Sequence, residues 1–467
     1  MSRFTVANPY HGQPLAELAY AEPAEIATAL QNATLLFRKW GKSSSSFERS
    51  EILKNVSLAL EARRDQFAML ICHEAGKPIA YALAEVERAI GVLRWASAEA
   101  LRFTGELLNL DTAASGRAGF GIASRFPRGP VLGITPFNFP LNLVLHKIAP
   151  AVACGCPILI KPSPFTPLTA LALAKLFSEQ LPHLVQILLA DAEATAKLTQ
   201  APEIATVSFT GSAPVGWQIR KQAPLKPTTL ELGGNAWVIV TDDTLPEHFP
   251  KIINRIVGAA YGYAGQSCIS VQNAAIAASR FEEFKTLLIE ATENVAYGDP
   301  ERKEVISGPV INTGAVSRIK NSLANLPKGS EKFTSRNLVG EAHPDSVLAP
   351  TLITVSEGEK GPIVQEEIFA PIMTLQRFTT LENLVTSVNS GHYGLQAGVY
   401  TQNLSTIQAL YKKLDVGGVV VNDVPTTRYD HQPYGGQKDS GQGREGIRYA
   451  MEEMTEVKFL ALSSQIL

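Results

Sequence analysis

The strongest constraint on this chain is an alternation of short apolar runs with longer helical ones, starting near residue 131 and persisting to about residue 421. Residues 131–135, 157–161, 205–209 and 236–240 have strand length and aliphatic, β-branched character, while 141–153, 169–180 and 215–222 carry helical spacing between them. Strands separated in this way cannot pair as hairpins. Each returns parallel to the last through a crossover, giving βαβ units and a doubly wound sheet. A second α/β stretch follows, with helices expected over 251–261 and 281–294 and strands over 351–354, 372–378 and 417–422. The first hundred residues read as helices. Ser45 and Ser46 can cap one that runs through Leu53, Val56 and Leu60 to Phe67 and Ile71, and a second spans 81–102. The tail 453–462 has the pattern of an edge strand able to pair with a neighbouring subunit.

The 467 residues fit two or three domains at about 150 residues each. Basic and acidic residues number 42 and 44, so no field exists to hold nucleic acid or an anionic membrane. The longest apolar stretch, 149–160, is too short to span a bilayer and contains Pro150 and Pro157. Four cysteines in so long a chain do not make a disulfide scaffold, and the first residues, Met-Ser-Arg-Phe-Thr-Val, lack a secretory apolar core. The expectation is a cytoplasmic protein without nucleic-acid or membrane partners.

Two nucleotide motifs fail on context. Gly441-Gln-Gly443-Arg-Glu-Gly446 has the letters of a dinucleotide fingerprint but follows a turn-like segment rather than a strand, with 21 residues left after it. Gly41-Lys42-Ser43 lacks the first glycine of a phosphate loop, whose place Leu36 takes. The eight histidines are scattered singly, so no metal site is expected. Cys154 and Cys156 close an apolar helix and read as buried packing residues. Cys268 is different: it follows the small-residue turn Gly262-Tyr-Ala-Gly265-Gln-Ser267, where a thiol can meet a ligand, and its own chemistry leaves nucleophile and structural thiol both open. Glu231, before Gly233-Gly234, reads as a strand-end carboxylate that is either solvated or a general base. Lys161, also at a strand end, either reaches a ribose or phosphate or snorkels to water.

Taken in order, the segments Thr135-Pro-Phe-Asn138-Phe-Pro140, Ile160-Lys161-Pro162-Ser163, Ser208-Phe-Thr210-Gly211-Ser212 with Gly216, Glu231-Leu-Gly-Gly234, Gly265-Gln-Ser-Cys268, Gln365-Glu-Glu367-Ile-Phe369-Ala-Pro371, and Pro433-Tyr-Gly-Gly436 with Ser440 to Glu445 resemble the NAD(P)-dependent aldehyde dehydrogenase superfamily along nearly the whole chain. In look the chain is closest to the lactaldehyde- and glyceraldehyde-type branch. The resemblance implies a Rossmann-like cofactor domain (1–230, with an oligomerisation segment near 105–130), an α/β catalytic domain (231–425), and a C-terminal segment (426–467) that returns to the first domain and ends in an oligomerisation strand. It implies that Cys268 attacks the aldehyde, that Asn138 and the Cys268 N–H form the oxyanion hole, and that Glu231 activates water against the resulting thioester. It assigns Glu445 to proton relay. NAD or NADP is placed against Thr135, Pro136, Phe137, Lys161, Ser163, Pro164, Gly211, Ser212, Gly216, Leu232, Gly233, Glu367 and Phe369. A homodimer or homotetramer is the implied assembly.

Two departures sharpen these expectations. Many NAD-preferring members carry a glutamate where this chain has Pro164; its loss removes a repulsion against a 2′-phosphate, so NADP should be tolerated. Relatives acting on phosphorylated aldehydes place arginine where Ser267 stands. The substrate expectation is a short hydroxylated or acidic aldehyde. Arg102, Arg428 and His431 read as solvated charge, with contact to an anionic tail as the alternative. A coenzyme A-acylating enzyme and a non-catalytic member of the fold are the rival readings.

Overall fold

The computed structural model describes residues 2–112, 119–341, 343 and 345–463. Two α/β sheets carry the chain. The first has the spatial order Gly441–Gln442, Thr228–Glu231, Thr206–Thr210, Val131–Ile134, Ile158–Lys161, Val185–Ile187, parallel throughout except at Gly441–Gln442. Its central strands are buried on both faces, which is why they read as continuous aliphatic runs rather than alternating ones. The helix Asn142–Cys154 packs against them with every residue buried, Cys154 included, and Gly155 in the left-handed region ends it.

The second sheet runs Lys332–Thr334, Thr351–Thr354, Ile372–Phe378, Val271–Ala277, Ala236–Val240, Gln396–Tyr400, Gly418–Val421, with only its first strand antiparallel. A third, three-stranded sheet joins Thr455–Ser463, Gly119–Pro127 and Glu106–Asn109. Residues 113–118, within the expected oligomerisation segment, lie outside the described residues. No helix among the described residues is long and apolar enough to cross a membrane.

Three sequence expectations need correcting. The strand Ala236–Val240 belongs to the second sheet, not the first, because the chain crosses between sheets at Leu232 to Asn235. The helix expected from Ser45 to Ile71 is two helices, Ser46–Glu61 and Arg64–Ala75, capped at the start by the Ser45 side chain. Residues 61–64 are all good helix formers, so only packing against Ile79–Arg102 marks the break. Glu453 ends the short helix Ile447–Glu453 rather than opening the terminal strand.

This layout places the functional segments. Thr135, Lys161, Gly211 and Glu231 all lie at or just past the C-terminal ends of parallel strands in the first sheet, and the strand order reverses at Val131–Ile134, where doubly wound sheets open a crevice. Cys268 and Glu367 lie just before strands of the second sheet, at its N-terminal edge. The crevice therefore lies between the C-terminal edge of one sheet and the N-terminal edge of the other.

Candidate active site

The helix Phe249–Tyr261 ends in a turn where Tyr263, Ala264 and Gly265 have φ of 51°, 54° and 65°. For the two L-residues this costs on the order of 1–2 kcal/mol each, and such strain persists only where surroundings fix it. Tyr263 donates its N–H to the Ile306 carbonyl and its hydroxyl to the Ala75 carbonyl, the latter at 3.0 Å. The Gln266 side chain donates to the Pro309 carbonyl at 3.2 Å and accepts from the Ile311 N–H at 3.0 Å. Gly265 is obligatory, since a Cβ there would sit 2.0 Å from the Ala370 carbonyl oxygen.

The turn delivers Cys268, half-buried, with Sγ 3.3 Å from the Tyr434 hydroxyl. Burial pushes the thiol up to about 12 against the opposing effect of the Tyr434 hydrogen bond, so at neutral pH the resting group is a thiol. Asn138, in the loop after Val131–Ile134, is buried and donates from Nδ2 to the Gln266 carbonyl at 2.9 Å, which brings it to the nucleophile turn.

Two buried carboxyl groups stand beside this pair in opposite states. Glu231 closes the strand Thr228–Glu231 with neither oxygen hydrogen-bonded, and a Cβ on Gly435, next to Tyr434, would lie 2.9 Å from its Oε1. Burial first, and the charge of Glu445 second, raise its pKa well above the usual carboxylate value. Glu445 is also buried, yet Lys147 and Arg428 outweigh that cost and hold it at about 2. Its oxygens accept from Lys147 Nζ at 3.0 Å and Arg428 Nη2 at 3.2 Å. Lys147 donates further to Ser208 at 3.0 Å and Thr210 at 2.8 Å. Environments that drive two neighbouring carboxyls apart separate a proton acceptor-to-be from a fixed charge.

Arg428 lies 3.7 Å from the centroid of the Tyr434 ring, and its Nε is buried without a partner. Behind it His146 Nε2 meets Asp430 at 3.0 Å, and Arg88 reaches the same carboxylate at 2.6 Å. Burial and the Arg428 charge push His146 down, leaving a neutral imidazole whose Nδ1 has no partner.

Along the crevice, Gly211 and Ser212 open the helix Ala213–Gln222, whose free N–H groups suit a pyrophosphate. Gly216 lies beneath Leu232, and a Cβ there would be 2.3 Å from the leucine side chain. Lys161 is half-buried and its pKa is lowered by burial. Ser163 accepts from the Phe165 N–H at 3.2 Å, with Pro164 between them. Glu367 is fixed by the Gly234 N–H at 2.8 Å, and its other oxygen would be 2.7 Å from a Cβ on Gly233. Phe369, at φ 52°, sets its ring 6.0 Å from that of Phe137, which follows Thr135 and Pro136. The hydroxyl of Thr135 and the indole N–H of Trp217 are buried without partners. Unfilled hydrogen-bonding groups beside a helix N-terminus, an ammonium and an anchored carboxylate fit a dinucleotide.

Over residues 1–460 the chain matches the model of the aldehyde dehydrogenase family. The chain belongs to that family. Sulfoacetaldehyde dehydrogenase of Neptuniibacter caesariensis is 34% identical over 464 residues, covering 98% of this chain and 99% of that protein. The crystal structure of aldehyde dehydrogenase 21 from Physcomitrella patens, in complex with succinate, superposes with a TM-score of 0.92 at 34% identity, covering 100% of this chain and 96% of that one. Glyceraldehyde-3-phosphate dehydrogenase of Methanocaldococcus jannaschii, complexed with NADP, has a TM-score of 0.89 at 30% identity and covers 98% and 99%. The protein is an NAD(P)-dependent aldehyde dehydrogenase with a Rossmann-like half and a second α/β half.

In this aldehyde dehydrogenase the solvated reading of Arg428 is wrong: its side chain is 7% exposed and ion-paired. Arg102 and His431 are exposed, the first paired with Glu99 and the second stacked on Trp95 at 4.7 Å. Sequence reasoning missed Lys147, although a lysine inside a mainly apolar helix is a signal, since lysines are fully buried only when paired. It also gave no separate role to Tyr434, His146 or Asp430, whose partners are distant in sequence.

Proposed function

We propose that this aldehyde dehydrogenase oxidises a short acidic aldehyde to its acid through a Cys268 thioester released to water. The observation that carries this reading is one buried cluster holding a thiol, an amide donor, a carboxyl with no hydrogen-bond partner and an arginine whose charge reaches both thiol and carboxyl. Cys268 gives its thiol proton to solvent as Sγ adds to the carbonyl carbon, and the carbonyl π pair moves to the oxygen, where Asn138 Nδ2 and the Cys268 N–H can stabilise the charge. When bound, the nicotinamide supplies the hydride acceptor. Glu231, once deprotonated, takes a proton from water, which attacks the thioester carbon and expels the thiolate. Retention of Glu231 favours water over coenzyme A as acceptor.

Arg428 supports the acidic substrate: its positive charge reaches Cys268 and Glu231 and would favour a sulfonate or carboxylate tail beside them. Sulfoacetaldehyde and succinate in the names of similar proteins agree with that choice. Thr135, Pro136, Phe137, Lys161, Ser163, Gly211, Ser212, Gly216, Leu232, Gly233, Glu367 and Phe369 would hold the dinucleotide, with Pro164 permitting a 2′-phosphate. We take 1–230, 231–425 and 426–467 as cofactor, catalytic and returning segments, supported by the division into sheets. A cytoplasmic homodimer or homotetramer joined through the three-stranded sheet completes the reading.

The test is reduced-nicotinamide formation from sulfoacetaldehyde, succinic semialdehyde, lactaldehyde and propanal with each cofactor. Acidic substrates should give the highest kcat/KM, and Arg428→Met should lower theirs about tenfold or more while sparing propanal. Pro164→Glu should shift preference from NADP toward NAD. Equal loss for all substrates in Arg428→Met would refute the acidic assignment.

A further inference from the structure

A fully buried charge pair lies outside the reacting groups, between the N-terminal helices and the site. Lys77 follows the turn after Arg64–Ala75 and is paired with Glu85, on the helix Ile79–Arg102; each side chain is 1% exposed. Glu85 Oε1 also accepts the N–H groups of Leu141 and Asn142, both at 3.0 Å, at the start of the helix Asn142–Cys154. The Lys77 ammonium is 3.6 Å from the centroid of the Phe139 ring and 4.6 Å from that of Tyr263, and the two rings meet edge to face at 6.5 Å. Phe139 directly follows Asn138. Tyr263 opens the left-handed turn that leads to Cys268.

We propose that Lys77 is a positioning residue that sets the oxyanion hole. One ammonium, aimed by Glu85, clasps the ring beside Asn138 and the ring at the root of the nucleophile turn. The distance between the Asn138 amide and the Cys268 N–H follows from that clasp. Cation–π attraction is strong in a desolvated site, and a charge there must be paired or it would not be buried. The single hydrogen bond from Asn138 to the Gln266 carbonyl joins the two segments nearer the reaction, and a bond of that kind orients an amide without fixing the backbones on either side. The proposal rests on the thioester reading above, since an oxyanion hole matters only if an oxyanion forms.

The test uses the full-length enzyme and the double variant K77M/E85Q, in which Met keeps the stem and Gln keeps the acceptor for Leu141 and Asn142. Misplacement by about 1 Å can cost 10²-fold in rate. The expected result is a fall in kcat of about 10- to 100-fold, with aldehyde KM, cofactor binding, iodoacetamide alkylation of Cys268 and the unfolding midpoint close to wild type. In an Asn138→Ala background the same double change should add less than about threefold, because both act through one group. Unchanged kcat, a full multiplicative loss in Asn138→Ala, or a parallel fall in alkylation would overturn the proposal. Absence of aldehyde oxidation by the wild type, seen before any variant is made, would instead remove the reading on which it stands.

Discussion

Protonating Glu445 breaks two buried pairs at once, which makes this residue the acid-sensitive point of the site. Its folded pKa, about 2, lies below the ordinary glutamate value of 4.5, so the stability it contributes is fully present above pH 4.5 and is lost as pH falls toward 2. Glu445→Gln should therefore have an unfolding free energy lower by roughly 3–5 kcal/mol near neutral pH, the usual cost of leaving a buried partner unpaired, and should lose less than wild type on acidification. Denaturant titration at pH 7 and pH 3.5 checks this; identical pH dependence in both proteins would contradict it. The side chains that bear chemistry were legible in part. Cys268, Glu231 and Asn138 stand out because each is polar or reactive beside glycine or proline in a short motif. The environment that decides their states was not legible, because Lys147, Arg428 and Glu445 are far apart in sequence and meet only when the C-terminal segment returns to Glu231 through the Gly441–Gln442 strand.

At the scale of elements, period and punctuation recovered Val131–Ile134, Ile158–Lys161 and Thr206–Thr210, which are short, rich in aliphatic or β-branched residues and buried, but not Val271–Ala277 or Gln396–Tyr400, although these are buried as well. The break between Ser46–Glu61 and Arg64–Ala75 escaped, since no local residue opposes helix there, and so did the sheet to which Ala236–Val240 belongs, since alternation gives direction but not neighbours. The strand Thr455–Ser463 pairs along Gly119–Pro127 and, among the described residues, leaves its other edge unpaired, with Val457, Phe459 and Leu460 more than half exposed. An apolar strand edge of that length invites pairing with a second copy. Light scattering coupled to gel filtration should give a dimer or tetramer for wild type and a smaller species for Val457→Asp with Phe459→Asp; a wild-type monomer would contradict the assembly.

Across the whole molecule, the crevice exists because two sheets meet end to edge: the first brings Thr135, Lys161, Gly211 and Glu231 there at its strand C-termini, and the second presents Cys268 and Glu367 just before its strand N-termini. The peptide Glu231 to Ala236 links them, and Gly234 cannot carry a side chain, as its Cβ would lie 2.0 Å from the Cys268 carbonyl oxygen. Glu231 and Cys268 are thus set by one crossing of the backbone. In the proposed mechanism, oxidation proceeds through an acyl group on Cys268 that Glu231 releases. The direct measurement is a single turnover of Glu231→Gln with NADP and succinic semialdehyde, followed by mass analysis of the peptide bearing residue 268. The account predicts a burst of reduced cofactor near one equivalent per site, an acyl adduct on Cys268, and steady turnover reduced on the order of 10²-fold or more. A burst without an adduct on Cys268, or steady turnover equal to wild type, would contradict it.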